Sequence, residues 1–344
     1  MIIKLTTADG IVGYGETGVE GAGGAAVHLL ESLQGAILDC DPRSVESTWA
    51  TLTQGASHRG GPLLYSVVSG VEQALWDIKG KSCGLPIYEM LGGACRDHIR
   101  MYASCGHESS DDVATLAKGF RVRGYTAIKV GLGASGDEAI TPEFVERIVS
   151  RISNVRKEMG PGAEVAVDFG AAFPPASALR LIEAIAPSFP MFVESPCPPD
   201  NVDALLRIAS ATKVPLAAGG ALLTRWGCRE VLEKQAVAVL QPVVAQAGGI
   251  LECRKIAAMA EPYDVSIALR SPVGPISLAA SIQVAACSPN FLIQEHLGLT
   301  NKADLGLGFL QEPFEVKEGY VRVPQGPGLG VEIDESAVGD RLLG

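Results

Sequence analysis

The chain has 344 residues, 47% of them apolar and 40 of them glycine, a balance that suits a compact α/β protein with many tight turns and excludes a disordered or fibrous one. Its formal net charge of −11 argues against nucleic acid or an anionic membrane as a partner, because both attract a positive surface. No apolar run approaches the ~18 residues that cross a bilayer, the opening "MIIKLTTADG" lacks a signal peptide's apolar stretch, and the eight cysteines form no C-x-x-C pair. These features predict a soluble cytoplasmic protein with reduced thiols, and exclude a zinc ribbon or a C-x-x-C redox motif.

In chain order, "MIIKLTT", a turn at Asp9-Gly10 and "IVGYGE" read as a β-hairpin. "PLLYSVVSGVEQALWDIKGKSCG" reads as a helix that starts at Pro62 and stops at Gly84. From Ile99 the texture becomes a repeated alternation of short apolar strand, loop and amphipathic helix, with strands at "IRMYAS", "TAIKV", "AEVAVDF", "MFVES", "VPLAAG", "AVAVLQP", "VSIAL" and "FLIQE". Eight such strands predict an α/β fold with a TIM-like (β/α)₇β barrel over residues 99–310 and an α+β capping module over residues 1–98. The alternating tail, residues 311–344, is expected to fold back and complete that module.

The strand ends carry the candidate chemistry. Asp168, Glu194 and Gly220 are spaced 26 residues apart (194 − 168 and 220 − 194), and Val243, Arg270 and Glu295 continue the rhythm, which places all six at the C-terminal mouth of one barrel. Asp168 and Glu194 close apolar strands, where a buried carboxylate needs a partner, so they are candidate ligands of a hard cation such as Mg²⁺ or else partners of nearby cations. Lys129 and Arg270 put two cations at the same mouth, suited to polarise or clamp a carboxylate or to pair with the acids. Glu295 is the site candidate of the last strand, since the side chain of His296 should point the other way. His58 in "ASHRGGP" and His107 after the first barrel strand are placed to reach the mouth or to remain solvated loop residues; His28 and His98 carry no site signal. "GLGASG" at 131–136 matches G-x-G-x-x-G, but "DEAITPE" separates it from the next helix, so it reads as a loop rather than a dinucleotide cradle.

"DGIVGYGE", "HRGGPLL", "GVEQALWDIKGK", "YTAIKVG", "VDFG", "FVESP", "VPLAAGG", "LQPVVAQAGGI", "YDVSIALRSPVGPI", "IQEH" and "PGLGVEIDE" resemble, in order, the enolase superfamily, in its mandelate racemase subgroup, and are most similar to its sugar-acid dehydratases of the galactonate dehydratase type. The resemblance implies a capped barrel, a homo-oligomer, and a Mg²⁺ ion that stabilises the enediolate formed by removing the proton α to a carboxylate. By position, Asp168 and Glu194 match the first two metal ligands, and Lys129 and Glu295 match retained site residues. The third ligand is replaced by Gly220, the aspartate of "QPD" by Val243, the histidine it orients by Arg270, the dehydratases' other histidine by Gly170, and the second glutamate of "EEP" by Ser195. The chain also opens without the family's first capping strand, so either the sequence begins late or the lid is short.

The replacements set the expectation for function. Gly170, Ser195, Gly220 and Val243, with His107, predict a wider, less polar pocket, in which Lys129, Arg270, Glu295 and His58 act as a metal-independent isomerase, lyase or cyclase on a small carbonyl compound bulkier than a sugar acid, Asp168 and Glu194 being left as a vestigial metal site. The alternatives are an inactive barrel in which Arg270 neutralises the acids, and a Mg²⁺-dependent sugar-acid dehydratase with its base supplied by His58 or His107.

Overall fold

The computed structural model of the chain describes residues 1–54, 60–105, 110–132, 139–298 and 305–338. β1 (Ile2–Thr6) and β2 (Val12–Glu16) form the expected hairpin, Ile2 opposite Glu16 and Thr6 opposite Val12. Its turn is closed by the Gly10 N–H donating to the Thr7 carbonyl and the Ile11 N–H donating to the Thr7 hydroxyl. α1 (Gly23–Leu38), α2 (Val45–Gln54) and α3 (Pro62–Cys83) pack around it, followed by the short α4 (Ile87–Met90). α3 begins at Pro62, whose missing N–H is no loss in a first turn, and ends at Gly84 with φ +68°, where the Leu85 N–H closes back on the Gly80 carbonyl.

Eight parallel strands make the barrel: β3 (His98–Cys105), β4 (Ala127–Gly131), β5 (Glu164–Asp168), β6 (Val193–Glu194), β7 (Leu216–Ala218), β8 (Val239–Leu240), β9 (Ser266–Leu269) and β10 (Phe291–His296). Pairing of β10 with β3, Glu295 opposite Tyr102, closes the ring. The intervening helices are α5 (Ser110–Val122), α6 (Pro142–Met159), α7 (Pro175–Ile185), α8 (Val202–Ala211), α9 (Thr224–Glu233), α10 (Ile250–Ala260) and α11 (Pro275–Cys287). Residues 133–138 of "GLGASG" and its loop lie outside the described residues. The described flanks agree with the loop reading, for β4 ends at Gly131 and α6 opens behind its own cap, the Thr141 hydroxyl accepting from the Phe144 N–H at 3.1 Å.

Strand alternation decides what fills the barrel. Tyr102, Ala127, Ala166, Phe192, Ala217, Val239, Ala268 and Ile293 form one closed apolar layer inside it. Two residues farther along the strands come Ser104, Lys129, Asp168, Glu194, Gly219, Gln241, Arg270 and Glu295, so the next layer up is polar.

The tail serves both units. β11 (Tyr320–Arg322) runs antiparallel to the His98–Arg100 start of β3, at the end of the barrel away from the mouth. Beyond it the Leu329 N–H donates to Asp77, and the Lys4 ammonium reaches Glu335, in the short α12 (Glu335–Val338), at 2.7 Å.

Capping module and barrel are joined by buried carboxylates placed on helix N-termini. Glu72 accepts from the Ile250 and Leu251 N–H groups at 2.7 and 2.9 Å, and Glu16 accepts from the Ser277 N–H at 2.9 Å, satisfying amides that have no partner within α10 and α11. Burial pushes the Glu72 carboxyl up to about 8, against the lowering effect of these donors. A carboxyl raised in the folded chain holds its proton more tightly than in the unfolded chain, so its stabilising contribution is complete below the ordinary carboxyl range and is lost as pH rises through about 8. Thermal unfolding followed from pH 7 to 9 should therefore show a falling Tm that Glu72→Gln makes shallower; an identical slope in the variant would remove Glu72 from that dependence.

Candidate active site

At the mouth Lys129 lies between two acids. Its Nζ is 2.7 Å from Glu194 Oε2 and 2.6 Å from Glu295 Oε1, with Asp168 Oδ2 farther off at 3.9 Å. Arg270 completes a ring from the other side, its Nε 3.2 Å from both Glu194 Oε1 and Glu295 Oε2. The side chains of Lys129, Glu194 and Glu295 are each 2% exposed, whereas that of Arg270 is 25% exposed. Burial works against the Lys129 charge, but Glu194 and Glu295 more than offset it and hold the ammonium above its ordinary range. For Arg270 the same balance of burial against Glu194 and Glu295 leaves the guanidinium cationic, and for Glu295 burial is outweighed by Lys129 and Arg270, which hold the carboxyl below its usual value.

The ring has supports that the sequence reading did not single out. Gln241 Nε2 donates to Glu194 Oε2 at 2.9 Å, and the Ser104 hydroxyl bonds to Glu295. The Tyr102 ring lies beneath, its centroid 5.6 Å from Lys129 Nζ, and its buried hydroxyl has no hydrogen-bond partner among the described residues. Counting two residues on from the apolar layer would have found Ser104 and Gln241; Tyr102 looks like core in "IRMYAS" and carries no separate signal.

The other predicted residues distribute as follows. Asp168 is at the rim, one oxygen accepting from the Gly170 N–H at 2.8 Å. Around Gly170 there is open space where a side chain would go. Ser195 has φ +47° and accepts from the Ala171 N–H through its carbonyl. Val243 is buried and bridges to Arg270 through backbone. His296 points out of the barrel, its Nε2 2.8 Å from the Tyr125 hydroxyl and its Nδ1 accepting from the Gly298 N–H. His58 and His107 lie outside the described residues.

The two adjacent glycines do different things. Gly219 has φ +152°, and a Cβ there would lie 2.7 Å from the carbonyl carbon of Gln241. Gly220 has no such backbone demand; a Cβ there would collide with Arg270 Nη1. The space left by the missing third acid is therefore filled by a guanidinium, and the expectation of a wider, less polar pocket fails at this position.

Residues 112–337 match the family model described as enolase C-terminal domain-like, and residues 1–92 that of the mandelate racemase / muconate lactonizing enzyme N-terminal domain. The chain belongs to the enolase superfamily. It is 37% identical to a D-galactonate dehydratase of Ralstonia nicotianae, over 99% of this chain and 90% of the relative, and 36% identical to one of Cronobacter sakazakii, over 100% and 91%. Among solved structures, a mandelate racemase/muconate lactonizing enzyme-like protein from Rubrobacter xylanophilus superposes with a TM-score of 0.91 at 31% identity, covering 98% of this chain and 92% of that one.

These relatives overturn the expected shift to a metal-independent isomerase, lyase or cyclase on a bulky, less polar compound, since the full-length likeness is to enzymes of a polar sugar acid. Membership in the superfamily likewise overturns the expectation that no metal is required, because its dehydratases are tied to Mg²⁺. The donor set as placed nevertheless does not fit that ion. Mg²⁺ needs open oxygen ligands, yet Glu194 is engaged by Lys129, Gln241 and Arg270, and a cation stands at the third ligand's position.

Lys129 separates two buried carboxylates that would otherwise face each other across Arg270 alone. Lys129→Met, which keeps most of the volume, is expected to lower the unfolding free energy by about 3–5 kcal/mol in urea titration. A loss below about 1 kcal/mol, the range of an exposed pair, would show that the ring is not a coupled unit.

Proposed function

We propose that the chain is a sugar-acid dehydratase. The observation that carries the reading is the end-to-end likeness to D-galactonate dehydratases, at 37% identity, of a chain whose barrel mouth is a charged ring rather than an apolar pocket.

In the reaction a 2,3-dihydroxy acid loses the proton on C2 and the hydroxyl on C3, which leave together as water, and the resulting enol becomes a 2-oxo acid. Removing the C2 proton pushes negative charge onto the substrate's carboxylate. Lys129 and Arg270, both held cationic by Glu194 and Glu295, supply fixed positive charge at the mouth to meet it, with no reorganisation needed during the step. Proton transfer needs a group near neutrality. His28 is solvated on the capping module, His98 sits at the far end of the barrel, and His296 faces Tyr125, so the proposal gives the proton work to His58 or His107. A cytoplasmic location accords with the eight free cysteines and the absence, among the described residues, of a helix long and apolar enough to cross a membrane; a homo-oligomeric assembly belongs to the same reading.

The purified protein should convert D-galactonate or another aldonic acid to a 2-oxo acid, read as the semicarbazone, in buffer with and without added Mg²⁺. Either His58→Ala or His107→Ala should reduce kcat by about 100-fold or more. Failure to form a 2-oxo acid from any member of an aldonic acid panel would sink the proposal.

A further inference from the structure

We infer that Arg270 is the residue that recognises the substrate's carboxylate, and that position 220 is glycine because the guanidinium needs its space. The inference rests on the sugar-acid reading above and names the specificity device of the same site.

Glu194 and Glu295 both meet Arg270 at Nε, which fixes the plane of the guanidinium. No hydrogen bond from its two terminal nitrogens is found among the described residues, and the side chain keeps 25% of its surface exposed. Nη1 stands over Gly220, so these free N–H groups are inside the mouth and not on the barrel's outer face. A planar guanidinium anchored at one edge and open at the other offers two parallel donors with the spacing of a carboxylate. Lys129 cannot take that role, because it is fully buried and already held at 2.7 and 2.6 Å by Glu194 and Glu295.

Within the ring Lys129 and Arg270 match the charges of Glu194 and Glu295, and Asp168 at the rim adds a third acid, so the assignment rests on the direction of the guanidinium fork and not on net charge. Asp168, whose nearest cation among the described residues is Lys129 at 3.9 Å, is left to accept a hydroxyl, which suits a polyhydroxy acid better than a simple one. Position 220 has no positive φ, so a side chain there would be a problem of space alone.

The test uses a 3-deoxy sugar acid, which keeps the carboxylate but has no C3 hydroxyl to lose, compared with its uncharged amide by calorimetry. The wild-type chain is expected to prefer the acid by about tenfold or more, the worth of one charge-assisted hydrogen bond. Arg270→Ala is expected to abolish that preference, Gly220→Ala, whose Cβ would push the guanidinium aside, to weaken it, and Arg270→Lys, with the charge but not the fork, to retain part of it. Should Gly220→Ala fail to fold, the two Arg270 variants carry the test. No binding by the wild type, equal binding of acid and amide, or an acid preference that survives Arg270→Ala overturns the inference. Because the probe cannot be dehydrated, the two readings fail separately. Acid-selective binding lost in Arg270→Ala, in a protein that makes no 2-oxo acid, removes the dehydratase and keeps the clamp; turnover with an unchanged preference in Arg270→Ala removes the clamp alone.

Discussion

Two glutamates buried side by side set the terms for the rest of the mouth. Glu194 and Glu295 are almost wholly removed from water, and beneath them the barrel is closed by an apolar layer that includes Tyr102, Phe192, Val239 and Ile293. A carboxylate in such a place is tolerable only with close cations and further hydrogen bonds. Lys129 bridges the pair from one side and Arg270 from the other, while Gln241 and Ser104 take remaining lone pairs. Each member restricts the rotamers of the others, so the ring delivers charge at fixed positions. That rigidity is what an electrostatic catalyst needs and what a surface ion pair cannot supply.

The same device recurs where the capping module meets the barrel. Glu16 and Glu72 place carboxylates on the first amides of α11 and α10, and Asp77 takes the Tyr14 and Leu329 N–H groups together with the Lys81 ammonium at 2.8 Å. α3 contributes two of these acids and β2 the third, which explains why a helix with an all-round buried middle carries Glu72 and Asp77 inside it. Glu72 and Glu16 answer amides that α10 and α11 cannot satisfy within themselves, whereas Asp77 accepts from β2 and from the tail. The link between module and barrel is therefore polar and directional, and it fixes the module against the barrel by hydrogen bonds that tolerate little sliding.

Much of this was legible in the sequence. All eight barrel strands could be read, because short β-rich runs bounded by Gly and Pro alternate with amphipathic helices, and the even spacing of strand ends pointed to one mouth. Pro62 and Gly84 marked the ends of α3 for reasons of backbone geometry alone. What could not be read was occupancy. Glycine at 220 predicted empty space, but the volume at a position is set by whatever reaches into it, and Arg270 has the length to do so from the end of β9, two strands away. Gln241 and Ser104 escaped notice because a polar residue in an apolar strand has no pattern of its own until the inward-facing set is known.

Gly219 and Gly220 show how adjacent identical residues answer to separate constraints. Gly219 belongs to the fold: its φ of +152° and the nearness of the Gln241 backbone exclude a side chain whatever the chemistry of the site. Gly220 belongs to the site, since the nearest atoms to a side chain there, among the described residues, are those of Arg270. A carboxylate restored at 220 alone would thus meet a guanidinium and become its third ion-pair partner, with no gain in open oxygen ligands. For an acid at 220 to face a cation from solution, the side chain at 270 must first be shorter. Positions 220 and 270 are accordingly one choice made twice, and their present state gives the mouth an internal cation anchored at Nε.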